Sequence, residues 1–596
     1  MAHSALHLGR VPGSSRSIHK GVLVSMLFVH GLLLGRIAAV NSPTYDEIAH
    51  LPAGLAHWRF GTFGLYKVNP PLMRMIATLP LLAMHPETDW TSFSDNPYIR
   101  SEFAVGYRFL EVNGYDSFWY FTLCRWMQIP VSILGGWVCY CWARDLYGDS
   151  SGLVALALWC FCPNILAWGA TITPDLGATV FGVAAGYAFW RWLTSPSWSA
   201  TLMAGLALGL AELSKSTWIV LFAVWPIMWL AWRWHTRSLP VNRPPAAQLG
   251  VALMVAIYVL NLGYAFEGFA QPLGQFQFIS RSLSGIDSDD SPGNRFRGTI
   301  LEGLPVPVPA NYLRGIDIQK HDFELGKWSY LRGELRFGGW YHYYVYALAV
   351  KTPLGTLILA AMAAACMMLR SDYVKRFQDE MVLLVPAIAV LVLVSSQTGF
   401  NRYLRYAVPA LPFFYISASR LGLAFERRSR WVRSLTLLSL LSSSLTSLMV
   451  FPHSMSFFNL AVGGPIGGAK HLLDANIDWG QDLLHLKQFV ALHPEVSPIR
   501  VVYFGLANPR LADFNHVLVS ETASLDTPAS EISLIPGWYA VSVNYLCGYR
   551  HDDTDARMNT VFQRFSPDFR AGYSICIYHI TPHKLASLQH PQEVKR

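Results

Sequence analysis

The chain has 596 residues, 52% hydrophobic and only 14% charged, against about 25% charged in soluble domains, so its apolar surplus calls for lipid rather than water as solvent. The net charge of +8 is spread over short links between apolar runs and forms no basic stripe, which argues against a nucleic-acid partner. Most of the eight cysteines (Cys139, Cys141, Cys160, Cys162, Cys366) sit inside apolar runs as small hydrophobes, and no CxxC pair or His/Cys cluster suggests a structural metal.

Runs of roughly 20 apolar residues, enough to cross a bilayer of about 30 Å, recur about eleven times. They lie near 21–40, 121–143, 151–170, 175–193, 200–214, 216–234, 247–264, 346–369, 380–396, 404–424 and 432–452. Basic residues precede the first run (Arg10, Arg16, Lys20) and follow the even ones: Arg144; Arg191; Arg233, Arg237 and Arg243; Arg370, Lys375 and Arg376; Arg420, Arg427, Arg428, Arg430 and Arg433. By the positive-inside rule the N-terminus is then cytoplasmic, and an odd number of crossings leaves the tail outside. The first run also has features of a signal peptide, although Arg36 inside it argues against cleavage.

The expected fold is mostly α: a multi-pass protein of the cell (inner) membrane with large exterior loops and a small C-terminal α/β extramembrane domain. It divides into a cytoplasmic segment at 1–20, a membrane domain at 21–452 with exterior loops at about 41–120 and 265–345, and an exterior or periplasmic domain at 453–596. Strand-like runs at 499–504, 538–545 and 573–580 mark that last domain. Two of these carry or adjoin Cys547 and Cys576, which leaves a disulfide between them open.

Just after the first run come Tyr45, Asp46 and Glu47. A carboxylate beside lipid loses hydration and gains basicity, while the alternative is a helix N-cap. In the same loop Lys67 and Arg74 flank a Pro70-Pro71 corner, as lipid-phosphate ligands or as snorkelling anchors. Thr173-Pro174-Asp175 opens the fourth helix on the same side, where a first-turn carboxylate is favoured in any case. Glu212 and Lys215 lie at that face too; an interfacial lysine is either half of an ion pair or a phosphate ligand. Trp340–Tyr344 reads as an interfacial aromatic belt. Arg402 and Arg405 defy the positive-inside trend and so require an anionic partner.

Taken in order, these features resemble the GT-C glycosyltransferases, and within them the dolichyl-phosphate-mannose-protein mannosyltransferase and aminoarabinose-transferase relatives. The resemblance covers about 20–452 and rests on Asp46 and Glu47, Pro70 and Pro71, Thr173 to Asp175, and Lys215; the tail segment Leu473 to Asp482 is similar to one in bacterial members. It implies a polyprenyl-phosphate-linked sugar as donor and Asp46 as the catalytic carboxylate. Relatives that transfer aminoarabinose carry a Lys where this chain has Asn69, so Lys67, Arg74 or Arg402 are the substitutes for phosphate binding.

The expected activity is transfer of that sugar, with inversion, to an acceptor hydroxyl on a protein, lipid or glycan at the outer membrane face. Asp46 is the base, Asp175 and Glu47 orient the acceptor or hold a cation, and Lys215, Arg402 and Arg405 stabilise the leaving phosphate. No cofactor is expected, with a divalent ion between Asp46 and Asp175 as the alternative. The rival readings are a transporter, whose ionisable residues more often lie at the midplane of repeated halves, and a polymer ligase without lipid-phosphate-sugar transfer.

Overall fold

The computed structural model describes residues 13–94, 96, 98–238, 243–285, 292–370, 373, 376–426, 429–519, 534–549 and 561–589. Arg10, Lys375, Arg427 and Arg428, and the side chain of Arg16, lie outside these residues.

Helices dominate up to Val450, as the apolar runs predict, but several runs are broken. Among the described residues six helices are long and apolar enough to cross a membrane, or eight if each of two bent pairs is one span. The expected 151–170 span is Asp149–Cys160 followed by Pro163–Gly169, bent by 59°; the expected 346–369 span is Tyr343–Lys351 followed by Leu354–Leu369, bent by 114°. Both bends fall at a proline whose preceding residue is extended: Cys162 has ψ 120° and Thr352 ψ 135°. The 121–143 run begins inside a separate Ser117–Trp126 helix, and 404–424 is a series of short helical turns.

Large aromatics fill the bundle, and small residues let helices approach them. Trp218 packs against Gly182, where a Cβ would lie 1.9 Å from the indole ring, and its Nε1 donates to Ala178 O at 2.8 Å. This contact fixes the Ser216–Ile219 turn, which follows the Trp198–Ser214 helix, against the Pro174–Thr194 helix. Arg420, read from sequence as a basic cytoplasmic link, is instead fully buried and ion-paired with Glu380 at 2.7 Å.

The first helix, Gly13–Val40, is tied into the bundle: His30 Nε2 lies 2.8 Å from Ser132 Oγ and its Nδ1 2.9 Å from Cys160 O. The tail carries a five-stranded sheet of order β4-β3-β5-β7-β6, built from β3 (Ile499–Val502), β4 (His516–Leu518), β5 (Gly537–Ser542), β6 (Phe569–Ala571) and β7 (Ile575–Ile580). β3 runs parallel to β4 and β5, and β7 antiparallel to β5 and β6. A separate hairpin, β1 (Trp328–Leu331) with β2 (Glu334–Phe337), lies in the second large loop. Cys547 and Cys576 are free thiols, so the open disulfide is not formed.

Candidate functional site

The chain leaves its first helix at Asn41 and lies along the tail segment 479–483. Ser42 N donates to Gln481 O at 2.9 Å, Tyr45 N to Trp479 O at 3.1 Å, and Leu483 N to Ser42 Oγ at 2.9 Å. Asp46 stands at the N-cap position of the Glu47–Phe60 helix, but its side chain makes no capping hydrogen bond.

Glu47 points the other way, into the protein. Arg125 Nε donates to its Oε1 at 2.8 Å and Arg125 Nη2 to its Oε2 at 2.5 Å, while the Thr44 N–H and hydroxyl and the Ile172 N–H, each at 2.8 Å, complete its shell. Burial alone raises the pKa of this carboxyl, but the charge and hydrogen bonds of Arg125 and the two N–H donors outweigh it and hold it below the ordinary value. Of the two roles expected for Glu47, orienting an acceptor is corrected and holding a cation is what is seen, the cation being Arg125: the Glu47 oxygens are consumed in bracing the loop.

Asp46 faces a polar cavity of about 180 Å³, whose walls include Asp46, Asp175, Lys215 and Arg405. Arg405 stands between the acids, with Nη2 2.8 Å from Asp46 Oδ2 and Nη1 3.7 Å from Asp175 Oδ2. Lys215 Nζ lies 2.6 Å from Asp175 Oδ1, extending the row to Asp46–Arg405–Asp175–Lys215. Trp479 of the tail and Tyr403 pack on the Arg405 guanidinium, with ring centroids 4.5 and 4.6 Å away. Arg405 thus occupies the space between the two carboxylates.

Polar capacity is left over in this row. Asp175 Oδ2 and Arg405 Nε are buried and have no hydrogen-bond partner. Burial, and after it the charges of Arg74, Arg405, His57 and Lys215, hold His50 far below its ordinary pKa, and its ring stacks on Tyr66 at 4.3 Å.

Tyr45 and Arg402 also line the cavity. Arg402, expected as a phosphate ligand, has an anionic partner in the tail, Asp474, at 3.2 Å. Lys67 and Arg74 are buried but are not among the lining residues. Arg74 is spent within its own loop, donating to His57 Nε2 at 2.9 Å and to the carbonyls of Tyr66 and Asn69; burial lowers its pKa to about 10. The cations that sequence reasoning missed in the wall are Arg100 and Lys327, with Asp322 nearby, 3.2 Å from Arg100. All three lie in the long segments between apolar runs, where no local pattern marks them. Glu212 instead accepts from Tyr312 Oη at 2.6 Å, outside this wall.

A second, apolar cavity of about 290 Å³ adjoins the first, with Ile219, Ile316, Leu393 and Val394 in its wall. Gln319, Phe323, Phe400 and Tyr406 belong to both walls, so an amphiphile can place a polar head in one and a chain in the other.

Residues 120–264 match the family model for dolichyl-phosphate-mannose-protein mannosyltransferases, in agreement with the resemblance carried by the motifs. No curated protein matches the chain. Similar solved structures include ArnT from Cupriavidus metallidurans bound to undecaprenyl phosphate, at 12% identity and TM-score 0.43 over 94% of this chain and 97% of that one. They also include the archaeal oligosaccharyltransferase AglB from Archaeoglobus fulgidus with an inhibitory peptide and a dolichol-phosphate (12%, 0.42, 96% and 75%). A third is the S. cerevisiae protein O-mannosyltransferase Pmt1-Pmt2 complex bound to the sugar donor (10%, 0.46, 79% and 91%). At these identities and scores the likenesses bear on neither activity nor substrate.

Proposed function

We propose that the chain is a GT-C-type membrane glycosyltransferase that moves a sugar, with inversion, from a polyprenyl-phosphate carrier to an acceptor hydroxyl at the outer face of the membrane. The observation that carries this reading is the alternation of two acids and two cations in a polar cavity sharing a wall with an apolar one. The family match over 120–264 supports it.

The apolar cavity takes the first part of the prenyl chain, and its phosphate enters among Arg405, Lys215 and the loop cations. Phosphate competes with Asp46 for Arg405, which leaves the Asp46 oxygens open to the acceptor's proton. Asp46 then accepts the acceptor's hydroxyl proton as that oxygen bonds to the anomeric carbon. The anomeric C–O bond to phosphate breaks on the opposite face, and the lipid phosphate leaves with the electron pair, its charge met by Arg405 and Lys215. Asp175 holds both cations in place. The membrane domain carries the site, the N-terminus is cytoplasmic, and the tail stands outside and covers the site through Trp479.

Mass spectrometry of glycoproteins and glycolipids tests the reading in cells lacking the gene, complemented with wild type or Asp46→Asn. A glycan must disappear on deletion and return only with wild type; an unchanged glycan profile on deletion contradicts it.

A further inference from the structure

A second cluster of ligating side chains lies where the tail meets the end of the first helix. His453 follows the Arg430–Val450 helix, while Asp482 and His485 sit at the start of the Leu483–Leu492 helix. One donor atom from each lies within 4.8 Å of the other two. His453 Nδ1 is 3.2 Å from Asp482 Oδ1, and the two imidazole rings are 4.5 Å apart. His485 Nε2 is 3.2 Å from Asn41 Oδ1, which brings a fourth donor atom, an oxygen, to the group.

The carboxylate is oriented as a ligand is. Its Oδ2 accepts from the N–H groups of Tyr573 and Ser574, at 3.1 and 3.0 Å, which leaves Oδ1 toward the imidazoles. The turn between β6 and β7 is shaped for this: Gly572 has φ +59°, and a Cβ there would lie 2.2 Å from Oδ2. The Tyr573 ring closes one side, edge-on to His453 at 5.5 Å. Separate hydrogen bonds, Asp482 with His453 and His485 with Asn41, account for the contacts pair by pair; what they leave is two imidazoles, a carboxylate and an amide oxygen gathered at one point, with the His453, Asp482 and His485 donor atoms within 4.8 Å of one another.

We infer that His453, Asp482 and His485, with Asn41 Oδ1, form a binding site for a divalent cation of the zinc class. Two imidazole nitrogens and a carboxylate are a zinc ligand set, and a 3.2 Å N···O separation is about one edge of a tetrahedron with metal–ligand distances of about 2.0–2.1 Å. Its role is structural: it joins the tail to Asn41, on the strand of chain that leads to Asp46. The inference is independent of the sugar-transfer reading.

The test uses the full-length protein, purified without a histidine tag in detergent, stripped with a chelator and titrated with zinc alone. One equivalent per chain and a raised thermal midpoint are expected. His453→Gln and His485→Gln should weaken binding by more than the roughly 10–100-fold that an outer-shell change costs. Cobalt(II) added to the wild type should give tetrahedral ligand-field absorption, a readout that does not depend on how the variants fold. Substoichiometric zinc with no cobalt spectrum, or binding that neither variant weakens, overturns the assignment.

Discussion

Asp46 and Glu47 adjoin in the sequence yet serve opposite sides of the backbone: Asp46 meets Arg405 at 2.8 Å in the cavity, and Glu47 meets Arg125 at 2.5 Å in the interior. Helix entry explains the split. Successive residues in a first turn are about 100° apart, so a pair at the start of a helix cannot share a face. Among the described residues, one carboxylate faces the cavity on a single ion pair and the other is fixed by five donors.

The two should therefore separate in stability. Arg125→Met or Glu47→Gln leaves a buried partner unmatched and should cost about 3–5 kcal/mol. Asp46→Asn, on a partly exposed carboxylate, should cost much less. Thermal unfolding in detergent checks this, and equal losses contradict the division of roles.

Arg405 should tolerate lysine poorly. A lysine keeps the charge but cannot reach Asp46 and Asp175 together as the guanidinium fork does. Arg405→Lys is expected to lower kcat by about 10²–10³-fold, the scale of losing one preorganised charge-stabilising donor. Steady-state kinetics on a lipid-phosphate sugar donor reads the loss.

Much of this centre is legible in the sequence. Asp46, Asp175, Lys215 and Arg405 are charges at the edges of apolar runs, where an unpaired charge is costly, and alternate crossings put them on one side. What pairs with what is not legible, because Arg405 meets Asp46 across more than 350 residues and Trp479 packs on it from the tail. Arg125 did give a signal, an arginine inside an apolar run, and so required an internal acid. Arg74 gave none: a cation in a polar loop looks the same whether it meets a phosphate or its own loop's carbonyls. The bends inside two of the apolar runs were not legible for a related reason, since Pro163 and Pro353 sit inside stretches that hydropathy alone joins.

The apolar cavity should measure chain length. Val394→Trp or Ile219→Trp fills its wall and should raise KM for donors with long prenyl chains while leaving water-soluble short-chain donors nearly unaffected. A comparison of KM across chain lengths decides it; equal effects on all donors would remove the cavity from lipid binding.

Asp478 in the tail makes a pH prediction. Burial raises its pKa to about 7 from an ordinary 3.8. Between those values the folded protein holds a proton that the unfolded chain has lost, so stability falls as pH rises from about 4 to 7 and stays lowered above. Asp478→Asn has no such proton to lose. Thermal midpoints across that window should fall more steeply for wild type than for the variant; parallel curves contradict the assignment.

The most direct measurement follows a labelled sugar. Purified wild type and Asp46→Asn are each mixed with radiolabelled polyprenyl-phosphate sugars and with membranes, as acceptor, from cells lacking the gene. Wild type should move label from lipid to acceptor, and Asp46→Asn should do so about 10²–10⁴-fold more slowly, the scale of general-base catalysis, while binding polyprenyl phosphate equally well. Equal transfer by the two proteins would contradict the account.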